Sequence, residues 1–94
     1  MPFGQLLRLP WARPAAKPFW AKLYVKNHCC LCNEALHELS DFEAAGRLVV
    51  ETVDIGTDPE LLRRYGLTIP VLEIENGPRL DWPFDRAAVS YALR

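Results

Sequence analysis

Three cysteines fall within four positions of the stretch Lys26-Asn27-His28-Cys29-Cys30-Leu31-Cys32. Cys29 and Cys32 form a C-x-x-C pair, a spacing at which two thiols can cycle between dithiol and disulfide. In that chemistry one thiolate attacks a substrate disulfide and the second resolves the mixed disulfide that results. Cys29 is assigned as the nucleophile and Cys32 as the resolving thiol. The assignment depends on where the pair sits. At the start of a helix, unpaired backbone N–H groups and the positive end of the helix dipole favour a negative charge, so a thiol there ionises more readily. Lys26, three residues upstream of Cys29, adds a cation.

The flanking pattern supplies such a junction. Ala21-Lys22-Leu23-Tyr24-Val25 alternates and is rich in strand formers, which predicts a strand over about 19–26. Leu31, Ala35, Leu39 and Phe42 then recur at helical spacing, flanked by Cys32 and Leu36, which predicts a helix over about 31–45 ended by Gly46. Asn33, His37, Ser40 and Asp41 project to its opposite side. A second strand is expected over 48–54, parallel to the first because a crossover helix joins them. Asp58-Pro59-Glu60 is a helix-start signal, with Leu61, Leu62 and Tyr65 on the buried side and Gly66 at the end. Strands over 71–75 and 79–81 flank an Asn76-Gly77 turn. A last helix is capped by Asp85, with Phe84 placed to staple onto Val89.

Composition sets limits. Ninety-four residues, half of them apolar, make one small domain. A formal charge of −1 gives no broad attraction to nucleic acid or to an acidic membrane. No apolar run approaches the ~20 residues that span a bilayer. Clustered cysteines are unlike a secreted disulfide framework, so a reducing compartment, the cytoplasm, is expected. Residues 1–18 differ: four prolines, Arg8, Arg13 and Lys17, and no acid. They are expected to form a flexible or loosely packed arm, with 19–94 as the folded domain.

With these elements in place, the chain resembles the glutaredoxins of the thioredoxin fold. The order β-α-β-α-β-β-α, the C-x-x-C at the first strand–helix junction and Thr68-Ile69-Pro70 before the third strand carry the likeness. Within that group it resembles more the small glutaredoxin-like proteins with Cys-x-Leu-Cys, Ile-Pro-Val and Trp-Pro-Phe-Asp segments, here ending in Trp82-Pro83-Phe84-Asp85. The resemblance implies an α/β fold, a four-stranded mixed sheet flanked by three helices. It also implies a cis peptide at Ile69-Pro70 facing Cys29, and an activity that reduces protein or small-molecule disulfides. By the same resemblance, Lys26, Thr68, Ile69, Pro70, Trp82 and Asp85 would contact substrate. Lys26 would meet a carboxylate, the Ile69 backbone a cysteinyl unit and Asp85 an amine of glutathione. No tightly bound cofactor is implied; glutathione or a thioredoxin system would be the reductant. Two departures stand out. Cys30-Leu31 replaces the family's Pro-aromatic pair, and Trp82-Pro83 stands where glycines normally let ligand and backbone approach.

A different class of function uses the same residues. His28, Cys29, Cys30, Cys32 and His37 include zinc-ligand types, so a thioredoxin-fold module could hold a metal, an iron–sulfur cluster or a partner protein without turnover. Against that, His37 projects about 140° from Cys32 around the helix, and no second C-x-x-C follows. Glu34, Glu38, Asp41 and Glu43 are read as a solvated helix face, Trp11 and Trp20 as packing residues, and Cys30 as a neighbour without a role.

Overall fold

A computed structural model of the protein describes residues 17–94; residues 1–16, most of the expected arm, lie outside it. The described elements are β1 (Phe19–Val25), α1 (Cys30–Ala44), β2 (Leu48–Asp54), α2 (Pro59–Tyr65), β3 (Val71–Ile74), β4 (Arg79–Asp81) and α3 (Arg86–Ala92). The four strands form one mixed sheet in the order β2-β1-β3-β4. β1 and β2 run parallel, whereas β3 is antiparallel to both β1 and β4. This is the thioredoxin-like α/β architecture expected from the sequence.

Alternation along β1 divides the interior in two. Ala21 and Leu23 face one way, into the larger core with Ala35, Leu39 and Phe42 of α1 and Phe84, Val89 and Leu93 around α3. Tyr24 faces the other way, into a smaller cluster with Ile55, Tyr65 and Val71. In α1 the buried series is Cys32, Ala35, Leu39 and Phe42. Leu31, expected in that stripe, is 46% exposed, and Cys32 takes its place. The reason is phase. Spacings of three, four and three keep a 3.6-residue repeat on one face, whereas two successive steps of four drift off it.

The helix ends follow local chemistry. After α1, Gly46 adopts φ +74°, a conformation that favours glycine. α2 starts on Asp58, whose Oδ1 accepts from the N–H groups of Glu60 at 2.9 Å and Leu61 at 3.2 Å. It ends at Gly66 in right-handed geometry, and there the need is for space, since a Cβ would lie 2.5 Å from the Leu62 carbonyl oxygen. α3 is capped by Asp85, whose Oδ1 accepts from the Ala88 N–H at 2.8 Å. Phe84 and Val89 are buried together beside it, as the expected staple requires.

Leu39 has no solvent exposure and lies at the centre of the larger core. Leu39→Ala is expected to cost about 2–5 kcal/mol, read as a lower urea midpoint with an unchanged denaturant slope.

Candidate functional site

The sheet register brings three separate segments to one end of the molecule. β3 is antiparallel to β1 with Tyr24 opposite Val71, so the residues before Val71 meet those after Val25. β4 is antiparallel to β3 with Asp81 opposite Val71, so Trp82 emerges at the same end. The Trp82 N–H donates to the Pro70 carbonyl at 3.2 Å, tying the second and third segments together. The parallel strand β2 also finishes here, and the Lys26 stem passes beside Gly56. Lys26–Cys32, Thr68–Pro70 and Trp82–Asp85 therefore share one rim.

At the β1–α1 junction, His28 takes a left-handed conformation, φ +60°, and Cys29 returns to an extended one as the N-cap of α1. The Cys29 Sγ accepts from the Cys32 N–H at 3.2 Å. The Cys29 sulfur thus fills the position in which a helix start receives an oxygen from serine or aspartate. No acidic side chain lies in the first turn to oppose a negative charge there.

The three thiols occupy different surroundings: Cys29 is half-buried, Cys30 exposed and Cys32 buried, only 4% accessible. Burial pushes the Cys32 thiol up to about 11 from the ordinary 9.0, helped by its hydrogen bond to Cys29 and by Cys29's charge. A backbone hydrogen bond from Lys26 pulls it the other way. Cys32 is therefore a protonated thiol at neutral pH, held behind Cys29.

The other expected residues are placed as follows. The peptides Ile69-Pro70 and Trp82-Pro83 are both cis; the resemblance implied the first, and nothing in the sequence reading implied the second. Lys26 and Thr68 are exposed at the rim. Thr68 donates through both its N–H, at 2.9 Å, and its Oγ1, at 3.2 Å, to the Tyr65 carbonyl. The Ile69 N–H donates to that same carbonyl at 3.1 Å. Trp82 is half-buried, packed on the larger core with its ring edge-on to Phe84, centroids 5.0 Å apart. Asp85 is exposed, with one carboxylate oxygen engaged in the α3 cap.

Among the described residues, no group of three or more His, Cys, Asp or Glu side chains is gathered so as to hold a metal ion. Among the same residues, no helix is long and apolar enough to cross a membrane. A groove of about 680 Å³ lies toward the other end of the sheet, lined by Trp20, Lys22, Glu51, Glu73, Glu75 and Gly77 among others. No cysteine borders it.

A family model described as a glutaredoxin-like domain (DUF836) matches residues 20–94. The chain belongs to the glutaredoxin-like family. It is similar to the X-ray structure of Northeast Structural Genomics target protein XcR50 from X. campestris, at 35% identity over 76% of this chain and 91% of that one, with a TM-score of 0.67. The solution structure of the same target gives 37% identity over 77% and 94% of the two chains, with a TM-score of 0.63. No curated protein matches the chain. In this glutaredoxin-like chain, the contacts that pattern reading missed are those around Glu73. Its carboxylate accepts from the hydroxyls of Tyr24 at 3.1 Å and Tyr65 at 3.4 Å. A signal was present: Glu73 alternates with the buried Leu72 and Ile74, so it had to point to the opposite face of the sheet.

Raising a thiol from 9.0 to about 11 cuts its thiolate fraction at neutral pH about 100-fold. Iodoacetamide at pH 8 should therefore label Cys29 and Cys30 well before Cys32, whose labelling rises as pH approaches about 11. Equal labelling of Cys32 in native and urea-unfolded protein would contradict its burial.

Proposed function

We propose that this glutaredoxin-like domain is a dithiol–disulfide oxidoreductase that reduces protein or small-molecule disulfides through Cys29 and Cys32. The observation that carries this reading is the division of labour between the two sulfurs. Cys29 is reachable and held at the helix cap, with a backbone N–H directed at its sulfur, while Cys32 is buried behind it and protonated.

In the first step the Cys29 thiolate attacks one sulfur of the substrate disulfide. The substrate S–S bond breaks, a mixed disulfide forms on Cys29, and the other substrate sulfur leaves as a thiolate that takes up a proton. Cys29 then carries no charge. Two of the causes that held the Cys32 proton, the hydrogen bond to Cys29 and repulsion by its charge, are thereby removed. Cys32 loses its proton, attacks Cys29 Sγ and releases the second substrate thiol. Two electrons and two protons have passed to the substrate, and Cys29 and Cys32 are left as a disulfide for an external thiol reductant to reopen. Such a cycle fits a reducing compartment, the cytoplasm.

For the reductant we favour a protein dithiol of the thioredoxin type over glutathione. By the family resemblance Trp82 stands where a glycine would leave room for a tripeptide, and its ring packs on the core. One oxygen of Asp85, the residue expected to meet glutathione's amine, is engaged in capping α3. Lys26 and Thr68 would then serve a protein substrate.

Two experiments test this. Cys29→Ser should abolish reduction of a protein disulfide, whereas Cys30→Ser should still form an intramolecular disulfide that mass mapping assigns to Cys29 and Cys32. Its absence from oxidised Cys30→Ser protein would overturn the pairing. Second, turnover coupled to a thioredoxin system should exceed turnover coupled to glutathione, and Trp82→Gly should raise the glutathione-coupled rate while lowering stability by about 3 kcal/mol. Efficient glutathione-coupled turnover by the wild type would exclude obstruction by the indole.

A further inference from the structure

Outside the cysteine rim, the described residues hold one linked cluster of polar and aromatic groups that the proposed chemistry does not use. The rings of Tyr24 and Tyr65 stack with centroids 4.2 Å apart and an 18° interplanar angle. Both hydroxyls donate to one carboxylate, Tyr24 to Glu73 Oε1 and Tyr65 to Glu73 Oε2. Both tyrosines are buried, and the Arg79 guanidinium sits 5.6 Å from the Tyr65 ring centroid. The cluster joins three elements, since Tyr24 lies on β1, Tyr65 at the end of α2 and Glu73 on β3.

The backbone of Tyr65 gives the cluster its reach. Its carbonyl oxygen receives three hydrogen bonds, from the Thr68 N–H, the Thr68 hydroxyl and the Ile69 N–H. Those donors are the residues that lead into Pro70 at the cysteine rim. One buried residue thus fixes the sheet through its ring and hydroxyl, and the Thr68-Ile69-Pro70 segment through its carbonyl.

We propose that Tyr65, stacked on Tyr24 and hydrogen-bonded to Glu73, is a positioning residue that holds the Thr68-Ile69-Pro70 backbone where an extended disulfide-bearing chain docks beside Cys29. This rests on the oxidoreductase reading and adds to it the group that sets how substrate is received. α2, seven residues long, is far below the length at which a helix is stable alone. Tyr65 is also its only buried residue, and it anchors the start of the loop whose far end is held by the Trp82 N–H on the Pro70 carbonyl. Because the Ile69 N–H is already engaged with Tyr65, a docking chain would meet a loop set in advance and would pair with the Ile69 carbonyl.

The test removes the hydrogen bond from either side and leaves the ring in place. Tyr65→Phe keeps the stack and deletes one hydroxyl, and Tyr65→Ala is avoided because it would empty the small core. Tyr65→Phe should raise KM for an oxidised protein substrate by about threefold, the size expected for losing a long hydrogen bond, with kcat unchanged. Glu73→Ala should reproduce this, and Glu73→Gln, which keeps one acceptor oxygen, should recover part of it. Amide hydrogen exchange in Tyr65→Phe should quicken about threefold at Thr68 and Ile69 while Leu23 and Leu39 keep wild-type rates. A uniform quickening across the sheet, or a fall in kcat with KM unchanged, would overturn the assignment in favour of a purely structural role. A wild type that reduces no disulfide would sink the oxidoreductase reading and the docking role with it. In that case the exchange pattern would still report whether Tyr65 holds the loop.

Discussion

Everything at the cysteine rim depends on the antiparallel pairing of β3 with β1. Leu23 and Leu72 face each other in that pairing, and neither is exposed at all. Sliding the register by one residue would turn Leu72 toward the smaller cluster and Glu73 into the larger core, where an unpaired carboxylate is costly. The buried pair therefore locks the strands in one alignment. That alignment is what puts Pro70 beside the end of β1, and through β4 it puts Trp82 there as well. The site is a by-product of core packing before it is anything else.

Within that frame the two thiols are separated by environment rather than by distance. They lie three residues apart on a single helical turn and are linked by a bond from the Cys32 amide to the Cys29 sulfur. Cys29 looks outward from the cap; Cys32 belongs to the buried stripe of α1 and is held protonated by burial first and by Cys29 second. Because Cys29 contributes to that second effect, a change in its bonding alters the acidity of its partner without any backbone movement. The order in which the proposed cycle uses the two sulfurs follows from these two surroundings.

Much of this was legible in the sequence, for identifiable reasons. The Asp58 and Asp85 caps and the Gly46 terminus are local signals, each contained within a few residues, and the structure has all three; the helix start at the cysteines was also expected, and the structure makes Cys29 its cap. The fold followed from element order, and the convergence of Cys29, Pro70 and Trp82 at one end came from family resemblance. Three features escaped. The helical phase at Leu31 and Cys32 differs by one residue, which a short apolar run does not resolve. The cis peptide before Pro83 left no sign that pattern reading could use. The bond from Tyr24 to Glu73 joins residues 49 positions apart, and no local window reports such a partner. Periodicity shows that a residue turns to one face, not which residue it meets there.

The Asn76-Gly77 turn lies at the opposite end of β3 from Pro70. Four strand residues at about 3.3 Å each put roughly 13 Å of paired backbone between that turn and the rim. The cysteines and the Asn76-Gly77 turn accordingly lie at opposite poles of the domain. Residues added at the turn, such as an affinity handle, a dye or a fused partner, would leave the cysteines with their present approach from solvent. That polarity makes the hairpin tip the natural point for attaching this domain to a surface with its thiols facing outward.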